Sequence, residues 1–304
     1  MARSGFLALT AAAVLLATGA AQAADPVRVG SKIDTEGSLL GNVILQVLEK
    51  HGVKTVNKIQ LGTTQVVRGA ITAGELDIYP EYTGNGAFFF NDEKDAVWKN
   101  ARQGYEKVKK LDADKNQLVW LTPAPANNTW SIAVRQDVAQ QNKLNSLDDL
   151  SGYLKKGGTF KLAASAEFIE RGDALPAFEK AYDFKLTQSQ LLSLAGGDTA
   201  VTIKAAAQQT SGVNAAMAYG TDGPVAALGL QTLSDPKGVQ PVYAPTPVIR
   251  ASVLKAYPDI DSWLKPVFSK LDEKTLQQLN AKIAVEGQDA SSVASEWLQQ
   301  QKLL

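Results

Sequence analysis

Aromatic side chains recur where predicted strands give way to turns. Tyr82, Trp130, Tyr219 and Tyr243 each lie at such a junction, near glycine, proline or asparagine. In α/β proteins, ligands bind outside the carboxyl ends of the strands, so these positions are candidates for ligand contacts. Any single ring could instead pack into the core, but four aromatic junctions favour a binding site. Tyr79 precedes Tyr82 on the same strand, and we expect it to pack behind that ring.

The residues that common catalytic and metal sites require are largely missing. The chain has no cysteine and one histidine, His51, at the predicted end of an amphipathic helix. It has no phosphate-binding loop, no dinucleotide-binding fingerprint, no zinc-protease motif and no G-x-S-x-G nucleophile motif. We therefore expect no enzyme activity, no metal site and no cofactor. His51 is expected to lie on the surface near a helix C-terminus, where its charge is favourable.

The composition is that of a globular chain with balanced charge. Of 304 residues, 45% are hydrophobic and 20% are charged, and Lys plus Arg equals Asp plus Glu at 31 each. This length is enough for two domains of ordinary size. A balanced charge supplies no overall field that would attract nucleic acid or anionic lipid, so we expect no nucleic-acid partner.

Residues 1–23 have the pattern of a secretory signal peptide. Arg3 provides a basic start, residues 6–17 are apolar, and Ala21-Gln22-Ala23 forms a cleavage site of the small-x-small type. A membrane anchor is the alternative, but the segment ends in a cleavage signal rather than a stop-transfer pattern. Without cysteine the mature chain has no disulfide and no thiol for a lipid anchor. We expect an unanchored monomer in a bacterial periplasm.

Strand and helix patterns alternate along most of the chain. Residues 27–32, 54–61 and 76–79 are predicted strands with helices between them, which implies a parallel or mixed sheet covered by helices. The first of these helices has apolar residues at helical spacing and ends at Gly52. A second alternation begins at Trp130. Beyond residue 252 the chain is predicted to be helical.

The C-terminal helices have too few strands to form a domain of their own. We therefore predict that the chain leaves a first lobe, builds a second and returns to the first. Residues 24–126 and 238–304 would form a discontinuous lobe, and residues 127–237 an inserted lobe. Two crossings between α/β lobes make a hinge, and the cleft between lobes is a preferred place for a ligand.

Six blocks of sequence, in chain order, resemble one protein family. The blocks are VGSKIDTEGSLLGNVILQVLE, LGTTQVVRGAITAGELDIYPEYTGNG, NNTWSIAVR, SAEFIERGDAL, AYGTDGPVAALGLQTLSD and VYAPTPVIR. They are similar to the glycine betaine- and choline-binding proteins of ABC importers, and above all to the stress-related OsmF/YehZ-like branch. The resemblance covers the mature chain from about Val27 to the last helix. It implies the type II periplasmic binding protein fold, in which two α/β domains are joined by a hinge.

The family binds quaternary ammonium compounds in a box of aromatic rings between the lobes. A trimethylammonium group has no N–H donor, whereas a ring face attracts its charge and covers its methyl groups. The resemblance assigns ligand contacts to Lys32, Tyr82, Asn85, Trp130, Arg171, Tyr219 and Tyr243. The four rings would form the box, the guanidinium would hold the carboxylate of a betaine, and the remaining two residues would make auxiliary polar contacts.

The chain departs from the family pattern within this set. Asn85 stands where threonine is more usual, and Trp130 where tyrosine is common. The resemblance implies a receptor that binds glycine betaine, choline or a related betaine, closes around it and delivers it to the permease subunits of an ABC importer.

Two alternatives remain open at this stage. The same fold could bind another small zwitterionic or cationic solute. The second alternative is an exported enzyme that reuses the scaffold, because fold alone does not fix function.

Overall fold

The computed structural model describes residues 25–304, so the predicted signal peptide lies outside the described residues. Within that range the strands form two five-stranded sheets, in the orders β2-β1-β3-β10-β4 and β7-β6-β8-β5-β9. The strands are β1 Val27–Lys32, β2 Thr55–Gly62, β3 Ile78–Tyr82, β4 Leu118–Trp120, β5 Trp130–Arg135, β6 Leu162–Ser165, β7 Leu191–Leu194, β8 Ala215–Tyr219, β9 Leu230–Thr232 and β10 Pro245–Arg250.

Helices connect and cover the strands. The α-helices are α1 Thr35–Lys50, α2 Thr64–Thr72, α3 Asn85–Phe89, α4 Ala101–Asn116, α5 Gln136–Asn142, α6 Leu147–Lys155, α7 Ala166–Glu170, α8 Leu175–Tyr182, α9 Thr199–Ala207, α10 Pro224–Ala227, α11 Ala251–Ala256, α12 Ile260–Phe268, α13 Glu273–Ala284 and α14 Ala290–Gln300. Short 3-10 turns lie at Ala96–Lys99, Gln188–Gln190 and Thr210–Gly212. No helix among residues 25–304 is both long and apolar enough to cross a membrane.

Both sheets are mixed. In the first, β1 is parallel to β2 and β3, whereas β10 is antiparallel to both β3 and β4. In the second, β6 is parallel to β7 and β8, whereas β5 is antiparallel to β8 and β9. We call the body around the first sheet the first lobe and the body around the second sheet the second lobe. The sequence patterns therefore predicted the mixed α/β class correctly.

Helix α1 ties the C-terminal helices to the first sheet. The helix begins after Asp34, whose side chain accepts a hydrogen bond from the Gly37 amide at 2.6 Å and caps the first turn. The apolar stripe predicted from the sequence is buried, and it shares one core with residues of α12, α13 and α14 such as Trp297 and Leu298. Each buried leucine or valine contributes roughly 1.5–3 kcal/mol to folding. This shared core explains why the end of the chain returns to the first lobe.

Two segments cross between the sheets and run side by side. One leads from β4 to β5, and the other leads from β9 to β10. The Asn128 amide donates to the Tyr243 carbonyl at 2.9 Å, and the Tyr243 amide donates to the Asn127 side-chain oxygen at 2.9 Å. Paired crossings of this kind form a two-stranded connection about which two lobes can turn.

Some elements differ from the sequence-based prediction. Strands β7 and β9 were not predicted, and β10 was indicated only by the junction at Tyr243, without bounds. Strand β3 begins two residues later than the pattern suggested and extends to Tyr82. Tyr79 is fully buried, as expected, and its hydroxyl donates to Glu81 at 2.9 Å. His51 lies exposed at the C-terminal end of α1, also as expected, and its ring stacks on Trp263 with centroids 4.2 Å apart.

Candidate functional site

A small cavity lies between the two sheets and is lined by residues of both. It contains six of the residues that the sequence singled out, namely Lys32, Tyr82, Asn85, Trp130, Tyr219 and Tyr243. The first lobe supplies the ends of β1 and β3 and the start of α3. The second lobe supplies the start of β5 and the end of β8. The cavity has a volume of ≈ 40 Å³, so its walls are close together.

The strand register brings the rings together. Trp130 lies directly opposite Tyr219 in the β5–β8 pair, so both side chains project from the same face of the sheet. Their ring centroids are 6.3 Å apart at an interplanar angle of 20°, and Trp130 meets Tyr243 edge-on at 5.9 Å and 60°. Pro245 pairs with Tyr82 at the start of β10, which places Tyr243 near the end of β3. One hydrophobic cluster contains Tyr82, Trp130 and Tyr243, and Tyr219 packs against it.

Three of the four rings are almost completely removed from water, and Tyr219 is half-buried. Tyr82 and Trp130 are each 6% exposed, and Tyr243 is 4% exposed. Burial raises the pKa of the phenol well above its usual value in Tyr82, Tyr219 and Tyr243. These tyrosines therefore remain neutral at physiological pH, and their ring faces present the electron density that attracts cations.

Lys32 lines the cavity, but its charge is already paired. Its ammonium donates to Glu81 at 2.6 Å, and it lies 4.5 Å from the centroid of the Tyr82 ring. Glu81 is fully buried and also accepts a hydrogen bond from the Asn85 amide at 2.8 Å. The carboxylate therefore holds both Lys32 and Asn85 in place, and it offsets the positive charge that a ligand carboxylate would otherwise meet.

Arg171 does not line the cavity and lies behind its wall. The guanidinium makes a forked pair with Asp173, at 2.6 and 2.9 Å, and donates to Glu167 at 3.0 Å and to Asn85 at 2.8 Å. It also lies 4.6 Å from the Trp130 ring centroid. Burial is the largest influence and opposes its charge, but the hydrogen bond to Asp173 and the negative charges of Asp173 and Glu167 together outweigh burial and keep the pKa of Arg171 above its usual value.

Phe88 covers the Arg171 cation. The Arg171 guanidinium carbon lies 4.0 Å from the centroid of the Phe88 ring, and the ring remains partly exposed. Together with Trp130, it places aromatic surface on the guanidinium from both lobes.

Two polar groups in the cavity wall have no partner. The indole nitrogen of Trp130 and the hydroxyl of Tyr243 are buried and make no hydrogen bond within the described chain. An unpaired buried donor costs free energy, about 1–3 kcal/mol, so a ligand oxygen that accepted from either group would recover that loss.

Sequence reasoning missed the acidic part of the site. Asp34 and Glu167 both line the cavity. Burial raises the pKa of Asp34 to about 6, against the hydrogen bond from the Gly37 amide, which lowers it. The signal in the sequence was the D-T-E-G run before an apolar helix, a recognisable helix start. Such a start does not by itself reveal that its capping carboxylate faces a cleft.

Gly84 and Gly86 leave room for neighbouring aromatic rings. A Cβ at Gly84 would lie 2.7 Å from the Tyr243 ring, and one at Gly86 would lie 2.7 Å from the ring of Trp98. The first glycine therefore makes room for a wall of the cavity, and the second makes room for a buried core residue.

Hydrogen bonds cross the cleft at several points. Besides the bond from Arg171 to Asn85, the Thr35 hydroxyl donates to Asp198 at 3.1 Å. Farther along, the Gln277 amide donates to the Gly220 carbonyl at 2.8 Å. The two lobes are therefore in direct contact around the cavity. No group of three or more His, Cys, Asp or Glu residues arranged to hold a metal occurs among residues 25–304.

Comparison with known proteins gives the family. The model of the substrate-binding domain of the ABC-type glycine betaine transport system, OpuAC, matches residues 25–300. The chain is 81% identical over 279 residues to the glycine betaine-binding protein YehZ of Escherichia coli K12, which covers 92% of both chains. This agrees with the family that the six sequence blocks indicated.

Solved structures agree with this assignment. Apo YehZ from Escherichia coli matches with 80% identity and a TM-score of 0.68, over 92% of this chain and 100% of that chain. A glycine betaine/carnitine/choline ABC transporter structure shares the fold at 21% identity, with a TM-score of 0.71 over 91% of this chain and 99% of that one. The type II periplasmic binding protein fold expected from the resemblance is thus confirmed. The chain belongs to the OpuAC family of substrate-binding domains of ABC-type glycine betaine transport systems, and it is a transport component rather than an enzyme.

Proposed function

We propose that this protein binds glycine betaine in the cavity between its lobes and carries it through the periplasm to the permease of an ABC importer. The observation that supports this most strongly is the convergence of four rings from both lobes on one cavity. Each ring face contributes about 0.5–2 kcal/mol to binding a desolvated onium group. Four such faces account for several of the roughly 8 kcal/mol that a micromolar complex requires.

The polar tail of the ligand has candidate partners at the other side of the cavity. We propose that Lys32 and Asn85 contact the ligand carboxylate. Arg171 holds Asn85 in position through its hydrogen bond to the Asn85 side-chain oxygen. The unpaired donors of Trp130 and Tyr243 are additional partners for a ligand carboxylate. Because Lys32 and Arg171 already have carboxylate partners, a zwitterion must compete with groups of the protein itself.

The conformation supports a receptor that closes on its ligand. Three of the four cavity rings are nearly inaccessible to water, and hydrogen bonds join the lobes across the cleft. A TM-score of 0.68 is low for chains 80% identical, which means that parts of the two molecules are placed differently. We propose that residues 24–126 with 238–304, and residues 127–237, are the two bodies that move, and that the protein acts as a monomer.

A second candidate ligand is a cation without a carboxylate, such as choline. The observation that favours it is the acidic lining, in which Asp34 and Glu167 face the cavity while the nearby cations are already paired. Like charges at that end of the cavity would disfavour a ligand carboxylate and favour a hydroxyl group.

Calorimetric titration with glycine betaine, choline and proline betaine tests the proposal. We expect saturable binding of glycine betaine, and a 2- to 30-fold weaker affinity in Trp130→Leu, which keeps apolar volume but removes a ring face. Trp263→Leu is the matched control, because that ring stacks on His51 at the end of α1 and does not line the cavity. No heat from any of the three compounds at millimolar concentration would refute the proposal.

A further inference from the structure

A buried carboxylate outside the predicted site lies directly behind the cavity. Glu36, in the first turn of α1, is 4% exposed. One of its oxygens accepts the Tyr82 hydroxyl at 3.0 Å and the Asn128 amide at 2.6 Å, and the other accepts the Asn280 amide at 2.8 Å. All three partners are neutral donors, and no ion pair with Glu36 occurs among residues 25–304.

Asn128 connects Glu36 to the segments that carry Tyr243 and Trp130. The Asn128 backbone amide donates to the Tyr243 carbonyl at 2.9 Å, and Asn128 itself lies two residues before Trp130. Through Asn128, Glu36 is therefore hydrogen-bonded to the segment that crosses from β4 to β5.

Asn280 connects Glu36 to the segment that follows Tyr219. The Asn280 side chain donates at the same time to the Thr221 carbonyl at 3.1 Å, and Thr221 lies two residues after Tyr219. Through three donors, one carboxylate thus contacts or adjoins the segments of all four cavity rings.

The negative charge of Glu36 lies close enough to the cavity to attract an onium group through Tyr82. A phenol that donates to a carboxylate has a more electron-rich ring, and Tyr82 lines the cavity. In agreement with a nearby negative charge, burial and then the Glu36 carboxylate raise the pKa of Tyr82 well above its usual value. Lys32 is the cation nearest that ring, and it is engaged by Glu81.

We propose that Glu36 is a positioning residue of the ligand site, which orients the ring-bearing segments and, through the Tyr82 hydroxyl, gives the cavity its preference for a cationic over a neutral head group. This inference rests on the proposed function. It goes further because it assigns the charge preference to a residue that does not line the cavity. Glu36 acts through its three donors and touches no ligand.

The decisive variant is Glu36→Gln, which keeps the shape of the side chain and removes its charge. The glutamine oxygen can still accept from Tyr82 and Asn128, and the unpaired Asn280 oxygen can accept from the new amide if that side chain turns over. Tyr82→Phe keeps the ring and removes only the hydroxyl. Glu49→Gln is the matched control, because Glu49 lies exposed on the same helix and accepts from Thr55 alone.

The readout is the dissociation constant of tert-butylacetate divided by that of glycine betaine. A purely structural role would change both constants equally and leave this ratio unaltered. Glycine betaine is compared with tert-butylacetate, in which a carbon atom replaces the charged nitrogen at the same shape. In Glu36→Gln we expect glycine betaine to bind about tenfold more weakly, a change of about 1.4 kcal/mol, and tert-butylacetate to bind equally well or more tightly. In Glu49→Gln we expect the ratio of the wild type.

The second variant shows whether the effect passes through the phenol. Tyr82→Phe alone should lower the ratio, and adding Glu36→Gln to it should change glycine betaine binding by less than about threefold. Tyr82→Phe also tests the inference if Glu36→Gln does not fold. Equal weakening of both ligands, an unchanged ratio, or the full tenfold effect in the Tyr82→Phe background would each overturn it. Failure of the proposed function looks different, because the wild type itself would then bind no glycine betaine.

Discussion

Replacing Gly223 by alanine tests whether the lobes make a contact only when they close. Gly223 precedes α10 in the second lobe, at φ −63° and ψ −33°, a conformation that alanine adopts readily. The obstacle is steric. A Cβ there would lie 2.0 Å from the Gln277 carbonyl oxygen and 2.8 Å from the Ala281 side chain, both on α13 of the first lobe. Helix α10 would have to move away from α13 by about 1 Å or more to relieve that overlap.

The magnitude follows from this overlap. Forcing one methyl group into a filled contact costs typically about 1–3 kcal/mol. If the contact exists only in the closed form, the whole cost falls on ligand binding, and the dissociation constant for glycine betaine should rise about 5- to 150-fold. The midpoint of thermal unfolding without ligand should then stay within about 2 °C of the wild type. Calorimetric titration and a thermal melt measure the two quantities.

Gly152→Ala is the control for this experiment. Gly152 lies inside α6 of the second lobe, and no atom lies within 4 Å of the Cβ that alanine would add. This change should leave ligand affinity unaltered and stabilise the protein by about 0.5–1 kcal/mol. If Gly223→Ala instead lowered the unfolding midpoint by several degrees and left affinity intact, the α10–α13 contact would be present in the open form too. The reasoning would then be wrong.

Two further changes probe the charged groups. Arg171→Lys removes the guanidinium hydrogen bond that crosses the cleft to Asn85. It should weaken glycine betaine binding about 10- to 100-fold in a calorimetric titration, because a charged hydrogen bond is worth about 1.5–3 kcal/mol. An unaltered affinity would exclude a role for the guanidinium in the closed site. Burial raises the pKa of Asp222 to about 7 and that of Asp34 to about 6, so the folded protein holds protons that the unfolded chain has lost. Stability should therefore fall as pH rises from about 4 to about 7, by at most about 1.4 kcal/mol per pH unit for each group. Thermal melts of Asp222→Asn should show a flatter dependence, and an identical slope would contradict this origin.

Elements with strong local patterns could be predicted from the sequence, and elements defined by distant partners could not. Helix α1 was evident from its apolar spacing and its end near Gly52. The bounds and the central position of β10 were not predicted, because Pro245 and Pro247 argue against a central strand. The structure nevertheless places β10 between β3 and β4, with Pro247 opposite Pro80. Only the pairing with two strands from the beginning of the chain makes that segment a strand.

The site shows the same division. The rings could be proposed because aromatic residues at strand ends have a local signature, and the structure brings all four to one cavity. The state of the cations could not be foreseen. Arg171 is held by Asp173, two residues away, and by Asn85 from the other lobe. Sequence order gives no indication that a guanidinium chosen for a ligand is already satisfied by its neighbours.

The order of strands in the first sheet also has a consequence for how the molecule is assembled. Because β10 separates β3 from β4, that sheet stays incomplete until the polypeptide beyond the inserted lobe has been made. The second sheet draws all its strands from one uninterrupted stretch, residues 130–232, so we expect it to form first. Pairing between distant segments is slow. A chain that crosses a membrane before it folds would gain time from this delay, and in a refolding experiment amide protons of β5 and β8 should become protected before those of β4.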